Sequence, residues 1–306
     1  MITAPDRLLR SLEWRLGRRL DGRLQGAYRT VWHGTGIDFT DLRAYTPEDD
    51  VRHIDWNVTA RLDEPFVRQY TEDRELTAWL VVDRSASMRF GRSSGSGREA
   101  GGAGQGKESV ATEMAVSLGR LVAQGGNRVG AILYDNHAHR VIPPRAGRDQ
   151  ILRIAHELMR PPASTGQGAT TDLAAMLRLA ASTTARRRSL VFVMSDFIGD
   201  ADWDRPLARL THRHEVVVIR VVDPAELELP DLGLILVEDA ETGEQLLVDT
   251  SDPLLRSRLA AQVGAREEAL AEGMRRAGVA AHRITTDQDL LAAFVDMVRL
   301  SGRGRR

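Results

Sequence analysis

Cysteine is absent from this chain of 306 residues. That excludes disulfide staples, thiol nucleophiles and cysteine-bearing zinc sites. Charge imbalance is missing as well. Acids and bases nearly cancel to a formal net charge of -1, so no global field argues for a nucleic-acid partner. No apolar run approaches the ~18 to 20 residues needed to cross a bilayer. The first twenty residues lack a signal-peptide core, being interrupted by Arg7, Arg10, Arg15, Arg18 and Arg19. These absences, taken with a length sufficient for one large core or two domains, lead us to expect a soluble, cytoplasmic protein.

What is present is a repeated pattern of apolar strands ending in oxygen-bearing side chains. Trp79-Leu80-Val81-Val82 runs directly into Asp83-Arg84-Ser85-Ala86-Ser87. A buried strand with that ending places one carboxylate and two hydroxyls at the tip of a sheet. All are hard oxygen ligands of the kind that suits Mg²⁺, and the carboxyl ends of strands are where open α/β sheets bind ligands. Two later segments supply matching parts. Gly168-Ala169-Thr170-Thr171-Asp172-Leu173 places threonines before a helical pattern, and Val191-Phe192-Val193-Met194-Ser195-Asp196 is another apolar strand ending in an acid. Taken alone, Asp-x-Ser-x-Ser is also a common capping and turn pattern; the weight lies in three segments in order.

From Leu76 onward strands alternate with helices. Strands are expected at Leu76 to Val82, Arg128 to Tyr134, Ala138 to Ile142, Ser189 to Met194, Glu215 to Val222 and Ala280 to Ile284. Helices are expected at Glu108 to Gln124, Arg148 to Met159, Asp172 to Ser182, Trp203 to Arg213, Pro253 to Ala277 and Asp287 to Leu300. This spacing implies an α/β fold, a mainly parallel sheet with helices on both faces. Leu234 to Val237 and Gln245 to Val248 flank Glu241-Thr242-Gly243-Glu244, a β-hairpin inserted in the C-terminal half.

Ahead of the sheet, residues 1–75 read as an extension. Leu8, Leu9, Leu12, Leu16 and Leu20 form one face of an amphipathic helix over Asp6 to Leu20. Gly34 to Trp56 has little periodicity and reads as an ordered loop with internal ion pairs. Its acids and arginines either brace the extension or form a docking surface, and Trp56 is expected in the core. Phe66 to Tyr70 reads as a short strand. Residues 76–300 form the α/β domain, and the basic tail 301–306 is expected to be disordered.

Arg92 to Gly106 is rich in Gly and Ser and reads as a mobile surface loop. The phosphate-loop spacing is almost met at Gly101 to Glu108, but Glu108 follows Lys107 where Ser or Thr is required. His137 with His139, and His212 with His214, are His-x-His pairs without an evident third ligand. No Ser-His-Asp grouping stands out.

Asp83-x-Ser85-x-Ser87, a threonine, and the strand-terminal Asp196 together resemble the metal-ion-dependent adhesion site (MIDAS) of von Willebrand factor type A domains. The resemblance implies that Asp83, Ser85, Ser87, Thr171 and Asp196 surround one metal, some directly and some through water. The family pattern of Gly, Thr, polar, aliphatic favours Thr171, with Thr170 competing for the role. Mg²⁺ is the expected ion, and Mn²⁺ or Ca²⁺ fits the same ligands.

The extension carries Gly34-x-Gly36-x-Asp38-Phe39-x-Asp41-Leu42-Arg43-x-Tyr45-x-Pro47-x-Asp49-Asp50-x-Arg52-x-Ile54-Asp55-Trp56. With Met194-Ser195-Asp196-Phe197 and Val222-Asp223-Pro224-Ala225-Glu226-Leu227-Glu228-Leu229-Pro230, it resembles the bacterial family called domain of unknown function 58, over about Arg29 to Leu300. The resemblance implies partnership with a MoxR-type AAA+ ATPase, or with a client protein, in chaperone-like assembly or maturation. Many relatives carry N-terminal membrane helices; this chain looks like the short, soluble type. The expected function is a metal-dependent protein-binding module, not a catalyst. A metal-dependent hydrolase using Asp83 and Asp196 is the alternative.

Overall fold

The computed structural model describes residues 36–46, 49–51, 54–62, 64–74, 76–89, 106–135, 139–161, 172–185, 187–199, 201–228, 231–238, 245–290, 292–293 and 297. Its centre is a six-stranded sheet. The strands are β3 (Thr77–Asp83), β4 (Arg128–Tyr134), β5 (His139–Arg145), β6 (Leu190–Ser195), β7 (Glu215–Val222) and β10 (Ala281–Thr285), in the spatial order β10-β7-β6-β3-β4-β5. All neighbours run parallel except β4 and β5, which form an antiparallel edge pair. This is the mainly parallel α/β sheet expected from the sequence.

Period-two alternation builds the two faces. Ala78, Leu80 and Val82 of β3, with Leu190, Phe192 and Met194 of β6, point to one side. There they meet helices α2 (Lys107–Gln124) and α3 (Arg148–Leu158) through Met114, Leu118, Ile151 and Ile154. Trp79 and Val81, with Val191 and Val193, point to the other. That face is covered by α4 (Leu173–Thr184), α5 (Asp204–Arg213) and the C-terminal end of α7 (Pro253–Arg276). Because both faces are buried, β3 and β6 read as unbroken apolar runs.

Two further pairs of strands stand apart from this sheet. β1 (Gly36–Ala44) and β2 (Phe66–Arg74) pair antiparallel, with α1 (Trp56–Leu62) between them in sequence. β8 (Leu234–Glu238) and β9 (Gln245–Asp249) pair antiparallel, as expected for the strands flanking Glu241-Thr242-Gly243-Glu244. A short helix, α6 (Pro224–Leu227), follows β7 and opens with a capping box between Asp223 and Glu226.

Two expectations for the extension are corrected. The Gly34 to Trp56 segment is not a loop throughout, because Gly36 to Ala44 is a strand. Irregularities between Gly36 and Asp38 and between Phe39 and Asp41 break its register with β2, so an extra residue spoils the alternation that would have announced it. Trp56 is not in the core: it is 67% exposed, whereas Asp55 beside it is buried. Asp55 faces inward because its carboxylate accepts the backbone N–H of Val58 at 3.3 Å, capping α1. One ion pair is local. Arg43 grips Asp49 with two hydrogen bonds of 2.7 and 2.5 Å, and that contact, followed by hydrogen bonds from Thr46, holds the Asp49 carboxyl well below the usual carboxylate range.

The helix expected over Asp6 to Leu20, the segment 92–105, His137, Thr170, Thr171 and the tail 302–306 lie outside the described residues. No helix among the described residues is long and apolar enough to cross a membrane.

The packing of α7 gives a direct test. A Cβ added at Gly273 would lie 2.7 Å from the Cη2 atom of the Trp203 ring. In an open helix, Gly to Ala gains up to about 1 kcal/mol; forcing a methyl into a filled interface costs about 1–3 kcal/mol. The clash wins, so Gly273→Ala is expected to lower the urea midpoint. A raised midpoint would show that α7 is free to shift away from Trp203.

Candidate metal centre

The parallel register of β3 and β6 sets Val82 beside Met194, so the next residues, Asp83 and Ser195, leave the sheet side by side. The chain passes from β3 to β4 on one side while β6 lies on the other. A crevice opens between strand ends at such a reversal. Asp83, Ser85, Ser87 and Asp196 all come to this edge and all are buried.

Hydrogen bonds hold each of them. Asp83 Oδ1 accepts the Ser85 backbone N–H at 2.9 Å, and Asp83 Oδ2 accepts the Ser195 hydroxyl at 2.7 Å. The Ser195 oxygen in turn accepts the Phe197 N–H at 3.0 Å, so one hydroxyl ties the loops after β3 and β6 together. Asp196 Oδ1 accepts the Ile198 N–H at 3.0 Å. The turn here forces Phe197 to a φ of 56°, a left-handed conformation that costs free energy in a residue with a side chain. An edge-on contact with Trp203, with ring centroids 5.2 Å apart, helps hold it.

The electrostatics of Asp83 are unusual. The residue is 0% exposed, and among the described residues no cationic side chain pairs with it. Burial, followed by the negative charge of Asp196, pushes its carboxyl up to about 6. The hydrogen bonds from Ser195 and Ser85 pull the other way. A buried carboxylate beside another, lacking its own cation, is a place where a positive ion would be strongly favoured.

Ser85 Oγ and Ser87 Oγ share a hydrogen bond of 3.0 Å. Among the described residues no three acidic or histidine side chains converge into a metal cage. A site here would use two carboxylates, hydroxyls and water, which is the pattern of Mg²⁺ rather than of a dehydrated cation. The expected threonine ligand, Thr171 or Thr170, is outside the described residues.

A family model described as "Protein of unknown function DUF58" matches residues 41–269. The chain belongs to the DUF58 family. Its relatives include the uncharacterized protein Rv1480 of Mycobacterium tuberculosis, 38% identical over 299 residues, covering 97% of this chain and 89% of the relative. The uncharacterized protein Mb1516 of Mycobacterium bovis matches to the same extent. Among solved structures, BatB from Bacteroides thetaiotaomicron aligns with a TM-score of 0.46 and 13% identity, covering 74% of this chain and 99% of that one. A von Willebrand factor type A protein from Catenulispora acidiphila aligns with a TM-score of 0.41 and 12% identity, covering 76% of this chain and 43% of that one. These are likenesses of chain path and carry nothing about chemistry.

In this DUF58 chain the crevice also contains charged groups whose roles were not apparent from the motifs. Lys107, considered above only for its place in an incomplete phosphate loop, is 0% exposed at the first turn of α2. Its ammonium donates to Asp196 Oδ2 at 2.7 Å and to Glu226. Burial pushes the Glu226 carboxyl up against the pull of Lys107, and Asp196 adds to the rise. Arg220 is also buried. Its Nε donates to the Asp196 carbonyl at 3.2 Å, while its two terminal nitrogens bind Glu267 of α7 at 2.6 and 2.5 Å. The one available signal for Arg220 was a lone charge inside the apolar run of β7.

Arg84, between the motif's Asp and first Ser, faces away from the crevice. It donates to the carbonyls of Glu157 and Arg160 at the end of α3, at 3.3 and 2.6 Å, and to Glu108 at 3.0 Å. A cation suits a helix C-terminus, so Arg84 pins the Asp-x-Ser-x-Ser loop to two helices. His212 and His214 lie elsewhere: His212 is exposed, and His214 is buried against Thr184 and the Ser189 N–H.

Proposed function

We propose that this chain is a metal-dependent protein-binding module, acting in the cytoplasm as an adaptor for a MoxR-type AAA+ ATPase in the assembly or maturation of other proteins. The observation that carries the metal-dependent part is Asp83: a fully buried carboxylate beside Asp196, with the hydrogen-bonded Ser85 and Ser87 hydroxyls at the same edge. The ATPase partnership rests on the family resemblance alone.

Asp83 and Asp196 would supply charge to the ion, and Ser85 and Ser87 neutral oxygens. Bound Mg²⁺ would offer an electrophilic position to a carboxylate of the partner protein. The chain's own part is to hold its ligands rigid. The Ser195 hydroxyl fixes Asp83, the Ile198 N–H fixes Asp196, and Arg220 fixes the Asp196 backbone. Such preorganisation favours binding because little freedom is lost when the partner arrives. The hydrolase alternative needs a positioned base, and no observation favours it.

The test is a pull-down from cell extract in Mg²⁺ or in EDTA, comparing wild type with Asp83→Ala. A MoxR-type ATPase retained by wild type with Mg²⁺, and lost with EDTA or with the substitution, is the expected result. Retention indifferent to both would move the contact away from this crevice.

A further inference from the structure

We propose that Lys107 is a built-in counter-ion that competes with the divalent metal for Asp196, and that Glu226 takes over its ammonium when metal binds. The inference rests on the metal-dependent reading above and adds a regulating residue to it.

Position is the first argument. Lys107 is the opening residue of α2. The positive end of a helix is an unfavourable place for a cation, and complete burial of an ammonium costs several kcal/mol unless it is paired. A lysine is retained at such a place only where negative charge holds it. That charge comes from Asp196 Oδ2 on one side and Glu226 on the other.

Charge balance is the second argument. Asp83, Asp196 and Glu226 set three carboxylates along the crevice, and Lys107 contributes one positive charge. The nearby arginines do not change this, because Arg84 is matched by Glu108 and Arg220 by Glu267. Among the described residues of the crevice two negative charges remain when the carboxylates are ionised, which is the charge of one divalent cation.

Geometry makes the two cations rivals. Asp196 Oδ1 is held by the Ile198 N–H and Oδ2 by Lys107. An ion shared by Asp83 and Asp196 would bind the carboxylate that Lys107 now neutralises, and would repel the ammonium. Glu226 is the ready alternative, already bonded to Lys107 and placed on α6 outside the motif. Metal binding thereby tightens the contact between α2 and α6. Metal affinity is set by how readily Lys107 lets go of Asp196.

The experiment is Mg²⁺ titration by calorimetry, with thermal unfolding in EDTA alongside. The proteins are wild type, Lys107→Met, Lys107→Gln, Glu226→Gln and the double variant Lys107→Met with Glu226→Gln. Removing a unit positive charge a few ångströms from a divalent ion is expected to tighten Mg²⁺ binding at least about tenfold. Lys107→Met should also melt below wild type in EDTA, because Asp196 and Glu226 lose their partner. Glu226→Gln should weaken Mg²⁺ binding several-fold, roughly the size of a lost charge-assisted contact, and most of that loss should vanish once Lys107 is gone. Both Lys107 variants binding Mg²⁺ at least about tenfold tighter than wild type, with the Glu226→Gln loss abolished in the double variant, is the supporting result. Folded Lys107 variants that bind Mg²⁺ no tighter than wild type would overturn the proposal and leave the metal reading standing. Mg²⁺ binding by none of the proteins would overturn both. If neither Lys107 variant folds, unchanged affinity in Glu226→Gln overturns the proposal.

Discussion

Asp83→Asn is expected to stabilise the metal-free protein at pH 8 and to abolish its response to Mg²⁺. The folded-state carboxyl lies at about 6, raised by burial and by Asp196, against an ordinary value near 3.9. A raised acid favours the folded state only while protonated. Its contribution is fully present below the unfolded value and is lost as pH climbs through about 6. At pH 8 the ionised group therefore opposes folding by an amount on the order of 3 kcal/mol. A neutral amide removes that opposition, although part of the gain is offset because the Ser195 hydroxyl loses its charged acceptor. In EDTA the melting temperature of Asp83→Asn should match wild type near pH 4 and exceed it by several degrees at pH 8. Adding Mg²⁺ should raise wild type and leave the variant unmoved. A variant that is less stable than wild type at every pH, with Mg²⁺ helping neither, would mean that Asp83 serves the fold rather than an ion.

The second large effect is expected at Arg220. Its guanidinium joins the Asp196 carbonyl to Glu267, and its side chain is 5% exposed against 30% for Glu267. Breaking a buried pair typically costs 3–5 kcal/mol, but Glu267 can turn towards water, so Arg220→Met should cost about 2–3 kcal/mol. The pH dependence follows from Glu267, whose carboxyl is lowered by the Arg220 hydrogen bonds. A lowered acid contributes stability above its unfolded value and loses it as pH falls through the folded one. The deficit of Arg220→Met should therefore be larger at pH 7 than at pH 3.5. Arg220→Lys should not restore it, because an ammonium lacks the planar fork that reaches both groups. Urea unfolding at the two pH values measures this, and a deficit of equal size at both would leave the ion pair without a share in stability.

Much of the sheet was readable in advance because its strands bury both faces. Continuous apolar runs such as Leu190 to Met194 have few other interpretations when helical patterns separate them. Asp83, Ser85, Ser87 and Asp196 were readable for a related reason: polar residues at the end of a buried strand stand out, and parallel pairing brings adjacent strand ends together. Other features were hidden by physics that operates between distant segments. β1 was concealed by its two irregularities. Trp56 was misplaced because hydrophobicity ranks it as core, while the cap made by Asp55 decides which way the chain turns. Lys107 sits 89 residues from Asp196 and 119 from Glu226 in sequence, so no local pattern could pair them. Arg220 shows itself as a misplaced charge, but its partner Glu267 lies on a helix that is largely exposed.

Lys107 and Glu108 are consecutive residues, yet they reach in different directions. The first holds the loop after β6 and the start of α6; the second holds Arg84, and through it the loop after β3 and the end of α3. The first turn of α2 is thus meshed like a single gear with both rims of the crevice. A displacement of either loop would therefore strain contacts made by one and the same helical turn.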